Sequence, residues 1–400
     1  MSKVVIRNVD ARNLLLGVYQ CFEKLGGIGH FVPHGCRIII KPNFVGPVAS
    51  EQGGTTDPYL VAALARVALE NGARAVYIVE SSATCFSTNE VIQKLGLRDA
   101  LREFKCEQAS FVNLDEEKIV KVRTPEGFFL KEIPFPELVT KVDFIWNVPK
   151  LKVHYVDVIT CAVKNYVGFL PREFRLLVHQ TRLSSIVAMI HKLFPESLVI
   201  TDALTLGSHE GPLNVRPVHF GYLIASTDPV ANDVVAGKIL GFQPEEIEYA
   251  MNAYNLGLGD INPTVEGEGI VLEVLRREPI VKRPVRGIIE RYGPFRIVLG
   301  GACSGCLTWL KGTLEGWILD GTMERLQKSG VRVSVMLGYN AVDERFDEFI
   351  EKMPYVVIGD CTPDKYKNNP DVIRASGCCP GEKIQFALEE ALRCQGFNLK

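Results

Sequence analysis

The apolar positions of this 400-residue chain fall into short runs of strand length, separated by stretches of helical period. Near-continuous apolar runs sit at 36–40, 75–79, 144–146, 198–200 and 222–225, the type expected of strands buried on both faces. Between them, 13–25 reads as an amphipathic helix that stops at Gly26-Gly27, and 184–194 as a shorter one. Thr56-Asp57-Pro58 and Asp228-Pro229 each put a capping side chain before a proline at the first helical position. The first of these helices runs to Asn71-Gly72, a normal stop. Residues 115–140 are a polar excursion with short strands. Strand and helix alternate, so the fold class is α/β, with mostly parallel sheets and helices on both faces.

The rhythm breaks once. Residues 276–294 are rich in Arg and Pro and read as a linker. Beyond them strands at 296–299, 331–337 and 355–358 alternate with helices after Cys306 and over 382–393. Two domains are therefore expected, 1–275 and 295–400.

Ligands of open α/β sheets bind beyond the carboxyl ends of the strands. Here those ends carry Lys41 and Asn43, Glu80, the run Lys150-Leu151-Lys152-Val153-His154, Asp202 and Asp228. In an extended chain Lys150, Lys152 and His154 point to one face, and Lys164-Asn165 adds a cation and an amide. The pattern predicts a strand-end cleft for an anionic small molecule or a metallocofactor. Lys41, Asn43, Thr56, Lys150, Lys164 and Asn165 would bind it, and Lys152, His154, Glu80 and Asp202 would do the chemistry. A solvated edge strand is the other reading of the lysine row, and capping the other reading of Asp57 and Asp228. His209-Glu210, in an expected Gly-rich loop, is a weak metal pair. A Walker loop and a zinc-helix motif are absent, and Gly257-Leu258-Gly259 does not complete a dinucleotide fingerprint.

Composition narrows the partners. A net charge of −2 with 23% charged residues calls for neither nucleic acid nor a membrane surface. The start lacks a signal-peptide core, and no apolar run approaches the roughly 18–20 residues of a membrane span. A cytoplasmic location is expected. Eleven cysteines then do not form a disulfide framework, and six of them, Cys303, Cys306, Cys361, Cys378, Cys379 and Cys394, crowd into the last 100 residues. All but Cys394 lie at a strand end or a helix start. A Cys-x-x-Cys, a distant Cys and a Cys-Pro suit a [4Fe–4S] cluster, or equally a four-cysteine zinc site. A thioredoxin-type pair Cys303/Cys306 is a third possibility.

Lys41-Pro42-Asn43, Thr56-Asp57-Pro58, Pro149-Lys150-Leu151-Lys152-Val153-His154, Lys164-Asn165-Tyr166-Val167-Gly168, Gly211-Pro212 and Asp228-Pro229-Val230-Ala231 together resemble the family called domain of unknown function 362. The resemblance covers residues 1 to about 275. It implies an α/β domain often joined to iron–sulfur modules and implies no particular reaction. Gly300-Gly301-Ala302-Cys303-Ser304-Gly305-Cys306, Gly359-Asp360-Cys361 and Gly377-Cys378-Cys379-Pro380 resemble the flavodoxin-like iron–sulfur domain of [NiFe]-hydrogenase small subunits and of the related complex I subunit. That resemblance implies a cluster held by Cys303, Cys306, Cys361 and one of Cys378 or Cys379. It leaves flavin open as a further cofactor.

Three functions follow as expectations. The first is an iron–sulfur redox enzyme, fed by a ferredoxin-like donor, that passes electrons to an anionic small molecule or metal cofactor held at the Lys/His-lined cleft. The second is an electron-transfer or metallocofactor-assembly subunit without turnover of its own. The third is a non-redox isomerase or lyase acting on a hydroxy or keto acid. A homodimer is compatible with each.

Overall fold

The computed structural model describes residues 2–10, 13–83, 85–154, 157–178, 182–209, 211–267 and 292–399. The chain forms two compact units. One comprises Met1–Arg175 and Leu183–Lys282, the other Leu176–Arg182 and Arg283–Lys400. Of the expected linker at 276–294, only the last three residues fall among those described.

The first unit runs β1 (Lys3–Asn8), α1 (Leu14–Lys24), β2 (Arg37–Pro42), α2 (Pro58–Glu70), β3 (Ala75–Glu80), α3 (Thr88–Leu95), α4 (Leu97–Glu103) and β4 (Ser110–Asn113). A hairpin follows, β5 (Ile119–Arg123) and β6 (Glu132–Pro136), where short strands were expected. Then come β7 (Phe144–Val148), β8 (Lys150–His154), β9 (Val158–Thr160), α5 (Ala162–Asn165), α6 (Arg172–Val178), of which the part to Arg175 belongs to this unit, and α7 (Leu183–Leu193). The unit closes with β10 (Leu198–His209), β11 (Val215–Ser226), α8 (Pro229–Ile239), α9 (Glu248–Asn255) and β12 (Thr264–Glu266).

Ten of these strands share one sheet, ordered β12-β1-β11-β10-β7-β2-β3-β4, with β8 on β10 and β9 on β8. Its centre is parallel, β10-β7-β2-β3-β4. Successive residues face opposite cores, as the strand period requires. Val5, Leu223 and Ala225 pack with α1, α2 and α4, whereas Val4, Ile6, Tyr222 and Ile224 pack with α8. Helices thus cover both faces, and the α/β expectation holds.

Two features depart from the sequence reading. The strand at 198–200 does not end at Asp202; β10 continues to His209 and pairs antiparallel with an equally long β11. Gly207 and His209 are therefore strand residues, and Glu210 lies outside the described residues. Thr201, Asp202, Thr205, Gly207 and Ser208 make the stretch polar and Gly-containing, and a register shift between Ala203 and Thr205 breaks its alternation. In addition, β8 is β7 continued past Pro149, and both run parallel to β10. Pro149 has no N–H to give the ladder, but its carbonyl accepts Asp202 N at 2.8 Å.

The order of strands reverses between β2 and β7, since the chain moves from β2 towards β4 and then returns to the other side of β2. That is the topological switch point at which open sheets seat ligands.

The second unit is a four-stranded parallel sheet, β13 (Phe295–Leu299), β14 (Val333–Leu337), β15 (Tyr355–Ile358) and β16 (Ile373–Ala375). Its helices are α10 (Ser304–Leu319), α11 (Thr322–Ser329), α12 (Phe346–Ile350), α13 (Asp364–Lys367) and α14 (Lys383–Cys394). The strands lie in sequence order β13-β14-β15-β16, where a flavodoxin sheet is ordered 2-1-3-4-5.

The caps read from sequence are present. Asp57 accepts from Tyr59 N at 2.8 Å, and Asp228 from Ala231 N at 2.9 Å. Asp228 also accepts from Ser2 Oγ at 2.5 Å and Asp260 N at 2.8 Å, tying three segments together. Asp228→Ala is expected to lower the unfolding free energy of this unit by about 1–2 kcal/mol, read by denaturant titration, with Asp228→Asn losing less.

Candidate functional site

The switch point gathers nearly every polar residue singled out in the first unit, but not in the form expected. Lys41, Lys150 and Lys152 are fully buried, and each has an internal partner. Lys41 Nζ lies 2.7 Å from Glu80 Oε1 and donates to the Pro42 carbonyl at 2.6 Å. Lys150 Nζ lies 2.9 Å from Asp202 Oδ2 and 3.3 Å from the Ser50 carbonyl, and Lys152 Nζ donates to Gly54 O at 2.5 Å. Lys164 pairs with Asp157, which is also 3.2 Å from His154 Nδ1. The expected row of cations open to an anion is thus replaced by lysine–carboxylate pairs. The solvated-edge reading fails too, because β8 is covered on both sides. An ammonium without its hydration needs a carboxylate close by, and β3 and β10 supply one each.

Glu80 is the most heavily used of these carboxylates. Its Oε2 accepts Phe44 N at 2.7 Å, and its Oε1 accepts Ser81 N at 2.9 Å as well as Lys41. The pair leaves no room beside it. A Cβ at position 168 would fall 2.6 Å from Glu80 Oε1 and 2.8 Å from Lys41 Cε, so Gly168 is there for close approach. Burial pushes the Lys41 ammonium below its ordinary pKa against the pull of Glu80, and burial lowers Lys164 against Asp157. Asp57 is raised to about 6 by burial and by the neighbouring Asp202 carboxylate, which accepts Asp57 N at 2.7 Å. Groups whose protons are this poised can exchange one with a substrate.

Amides line the same point. Thr56 Oγ1 accepts Asn43 N at 2.8 Å and donates to Val148 O at 2.9 Å, bridging β2 and β7. Asn43 Nδ2 donates to Asn165 Oδ1 at 3.1 Å, while Asn43 Oδ1 is buried with no partner. Asn165 Nδ2 contacts the carbonyls of Lys41 and Pro42 and the Oδ1 of Asn147.

Behind Asn165 lies a network that sequence reasoning missed. Asn147 Nδ2 donates to Glu196 Oε1 at 3.2 Å, and Glu196 Oε2 is 2.7 Å from His191 Nδ1. His191 Nε2 reaches the Val163 carbonyl at 2.9 Å, and the Tyr166 ring stacks on the imidazole at 3.8 Å. Burial opposes the charged imidazole, but Glu196 outweighs it and the pKa is raised. Asp233 accepts Ala162 N at 2.6 Å and Val163 N at 2.9 Å. The turn α5, which carries Lys164 and Asn165, is therefore held at both ends. The signal in the sequence was slight: one polar letter, Asn147, in an apolar run, and the polar pairs His191-Lys192 and Asn232-Asp233 in helices that otherwise read as apolar.

The second cluster is the cysteine rim. Three strand ends of the second unit deliver thiols: Cys303 and Cys306 after β13, Cys361 after β15, Cys378 and Cys379 after β16. Cys303 is the N-cap of α10, and Cys306 lies buried in its first turn. Cys306 is hydrogen-bonded to both Cys303 and Cys379, which raises its own thiol. Those bonds, helped by backbone N–H groups, hold Cys303 down to about 5 and lower Cys379. The sulfurs make a chain through Cys306, and among the described residues no trio of His, Cys, Asp or Glu stands at single-ion spacing. Cys361 and Cys378 are exposed, and both are raised, first by burial and then by the charge of Cys303. Two details suit a sulfur-rich occupant. A Cβ at Gly359 would lie 3.6 Å from Cys361 Sγ and 3.7 Å from Cys306 Sγ. The buried Trp309 indole N–H has no partner, and its ring lies against Gly381, beyond the Cys379-Pro380 turn.

A family described as domain of unknown function (DUF362) matches residues 38–238, half of the chain. The chain belongs to the DUF362 family. Every switch-point residue above falls inside the DUF362 match, and every rim cysteine lies outside it. The thylakoid-associated protein sll1697 of Synechocystis is 28% identical over 264 residues, which is 64% of this chain and 78% of that protein. The lactate racemase apoprotein of Thermoanaerobacterium thermosaccharolyticum superposes with a TM-score of 0.38 and 13% identity, over 61% of this chain and 57% of that one. No helix among the described residues is long and apolar enough to cross a membrane.

Removing one member of the Lys41–Glu80 pair should cost more than removing both. Glu80→Leu is expected to destabilise by about 3–5 kcal/mol, and the double change Lys41→Met/Glu80→Leu to recover most of that in a denaturant cycle. Stability should also depend on Asp233, whose carboxyl burial pushes up to about 7. A raised acid stabilises the fold fully below its ordinary value of about 3.9 and loses that contribution as pH rises through 7. Asp233→Asn should flatten the fall in melting temperature between pH 4 and 7.

Proposed function

We propose that this DUF362 protein is an iron–sulfur redox protein whose C-terminal rim holds a [4Fe–4S] cluster and whose switch point binds and protonates the molecule that is reduced or oxidised. The observation that carries this reading is that parallel strand ends bring Cys303 and Cys306, Cys361, and Cys378 and Cys379 to one edge, with the sulfurs of Cys361 and Cys306 3.6 and 3.7 Å from the position of a Cβ on Gly359. Four thiolates from a Cys-x-x-Cys and two further loops match the donor chemistry of such a cluster. Cys379, less exposed than Cys378, would take the fourth place. The bound cluster would supply one-electron transfer. The unpartnered Trp309 N–H would donate to one of its sulfurs, and the glycines at 359 and 377 keep the loops close.

In the first unit the division of labour changes from that read in the sequence. His154 and Lys164, both grouped on Asp157, are the partly exposed basic side chains and would meet an anionic substrate or a metallocofactor. Asn43, with its open Oδ1, would orient it. Lys41–Glu80 and Lys150–Asp202 would hold and move protons. Those pairs also favour a second reading, proton transfer on a hydroxy or keto acid without net redox change. Turnover that persists with no external electron donor or acceptor would select it.

The test is anaerobic purification with iron, acid-labile sulfide and zinc counted on one sample, and an EPR spectrum after reduction. About four iron and four sulfide per chain with a reducible signal are expected. Zinc without sulfide would overturn the redox reading. Cys306→Ser and Cys379→Ser should each lose the cluster, while Cys378→Ser keeps it.

A further inference from the structure

The amides at the switch point have a direction, and it is set from the far end of their network. Glu196 Oε1 faces Asn147 Nδ2 at 3.2 Å, and the Ala162 carbonyl takes the same nitrogen at 2.9 Å. Neither an ionised carboxylate nor a carbonyl has a proton to give. Asn147 therefore points its nitrogen at them and its oxygen at Asn165.

Asn165 is fixed by the same logic. Its Nδ2 meets three oxygens: Asn147 Oδ1 at 2.9 Å, Lys41 O at 2.9 Å and Pro42 O at 3.3 Å. A turned-over amide would set oxygen against all three. Asn165 thus offers its own oxygen to Asn43, which answers with Nδ2 at 3.1 Å. The backbone of Asn43 is held as firmly. Its N–H donates to Thr56 Oγ1 at 2.8 Å, and its carbonyl accepts Thr56 N at 3.1 Å.

One atom is left over. Asn43 Oδ1 is buried and has no partner among the described residues. Buried polar atoms are nearly always paired, so an orphan marks a place for a partner of another kind. Trp146 and Tyr166 also carry an unpartnered polar atom, but both are 0% exposed, whereas Asn43 keeps 9%. Asn43 directly follows β2, at the switch between β2 and β7 where an open sheet seats its ligand. A side-chain carbonyl oxygen accepts and never donates. A ligand hydroxyl would satisfy it, and a ligand carbonyl would stand against it. Asn165, which sets Asn43, follows Lys164 directly on α5, so the ligand that fits carries an anionic group with a hydroxyl close by.

We propose that Asn43 is a specificity residue of the switch point, accepting a hydrogen bond from the hydroxyl of a 2-hydroxy acid and rejecting the matching 2-keto acid. This rests on the reading above that an anionic molecule binds here. Asn165 and Asn147 are then positioning residues, acting through Asn43.

The test is calorimetric titration of the full chain with two series of small acids. One is glycolate, glyoxylate, glycine and acetate, the other malate, oxaloacetate, aspartate and succinate. Wild type is expected to bind the hydroxy acid of at least one series about tenfold or more tighter than the other members, the worth of one buried hydrogen bond. Asn43→Ala and Asn165→Ala should each bring that ratio close to one, with melting curves to check that both are folded. If a variant does not fold, the wild-type ratio decides alone. A keto, amino or unsubstituted acid bound as tightly as the hydroxy acid would overturn the selectivity and leave the anion site standing. A hydroxy-acid preference that Asn43→Ala leaves unchanged would overturn the role of Asn43. Binding of none of these compounds would overturn the anion-binding reading as well.

Discussion

A lysine and a glutamate, out of reach of water, hold the first unit at the carboxyl ends of its central strands. Lys41 closes β2 and Glu80 closes β3, and their contact at 2.7 Å joins neighbouring strands where the ladder has run out. The carboxylate also takes the N–H groups of Phe44 and Ser81, at the start of the loops after β2 and β3. Much else follows from keeping that pair dry. Position 168 must lack a side chain, α5 must be held from both ends, and Pro42 O must turn inward to accept from Lys41. Ion pairs cut off from solvent gain little over apolar packing, but a single member left alone is costly. The pair is better understood as a constraint on geometry than as a source of stability.

The fold was largely legible because its signals are local. Apolar runs marked the central strands, and Asp57-Pro58 and Asp228-Pro229 marked helix starts that are capped as the residue types imply. The failures were of two physical kinds. β10 runs on through Thr201, Asp202 and Gly207 because β11 and β8 flank it, a fact that no window of one strand contains. The lysines of β8 looked available because their partners are remote in sequence: Asp202 lies 52 residues from Lys150, and the Gly54 carbonyl 98 residues from Lys152. Spacing told which side chains would meet at the strand ends. It could not tell that they would satisfy one another.

The cysteine rim shows the reverse balance. Its residues announce themselves by type, and parallel topology alone brings 303, 306, 361 and 379 to one edge. What the sequence hid is the differentiation among thiols. The Cys303 thiol is held down to about 5 and Cys379 is lowered while Cys306 between them is raised, and Cys361 and Cys378 face outward.

The position of β1 has a bearing on how such a chain is made. β1 hydrogen-bonds on one side to β11 and on the other to β12, pairing Val4 with Ser226 and with Val265. A ribosome adding on the order of 5–20 residues per second synthesises this strand many seconds before either neighbour exists. For that interval an apolar segment, Val4-Val5-Ile6, has both edges open. The ladders joining β2, β3, β4 and β7 to one another, by contrast, pair no residue beyond 148, so their partners are made within one stretch of chain. The first unit therefore closes late and at its margin, with Ser2 and Asp260 meeting on Asp228 as the final stitch.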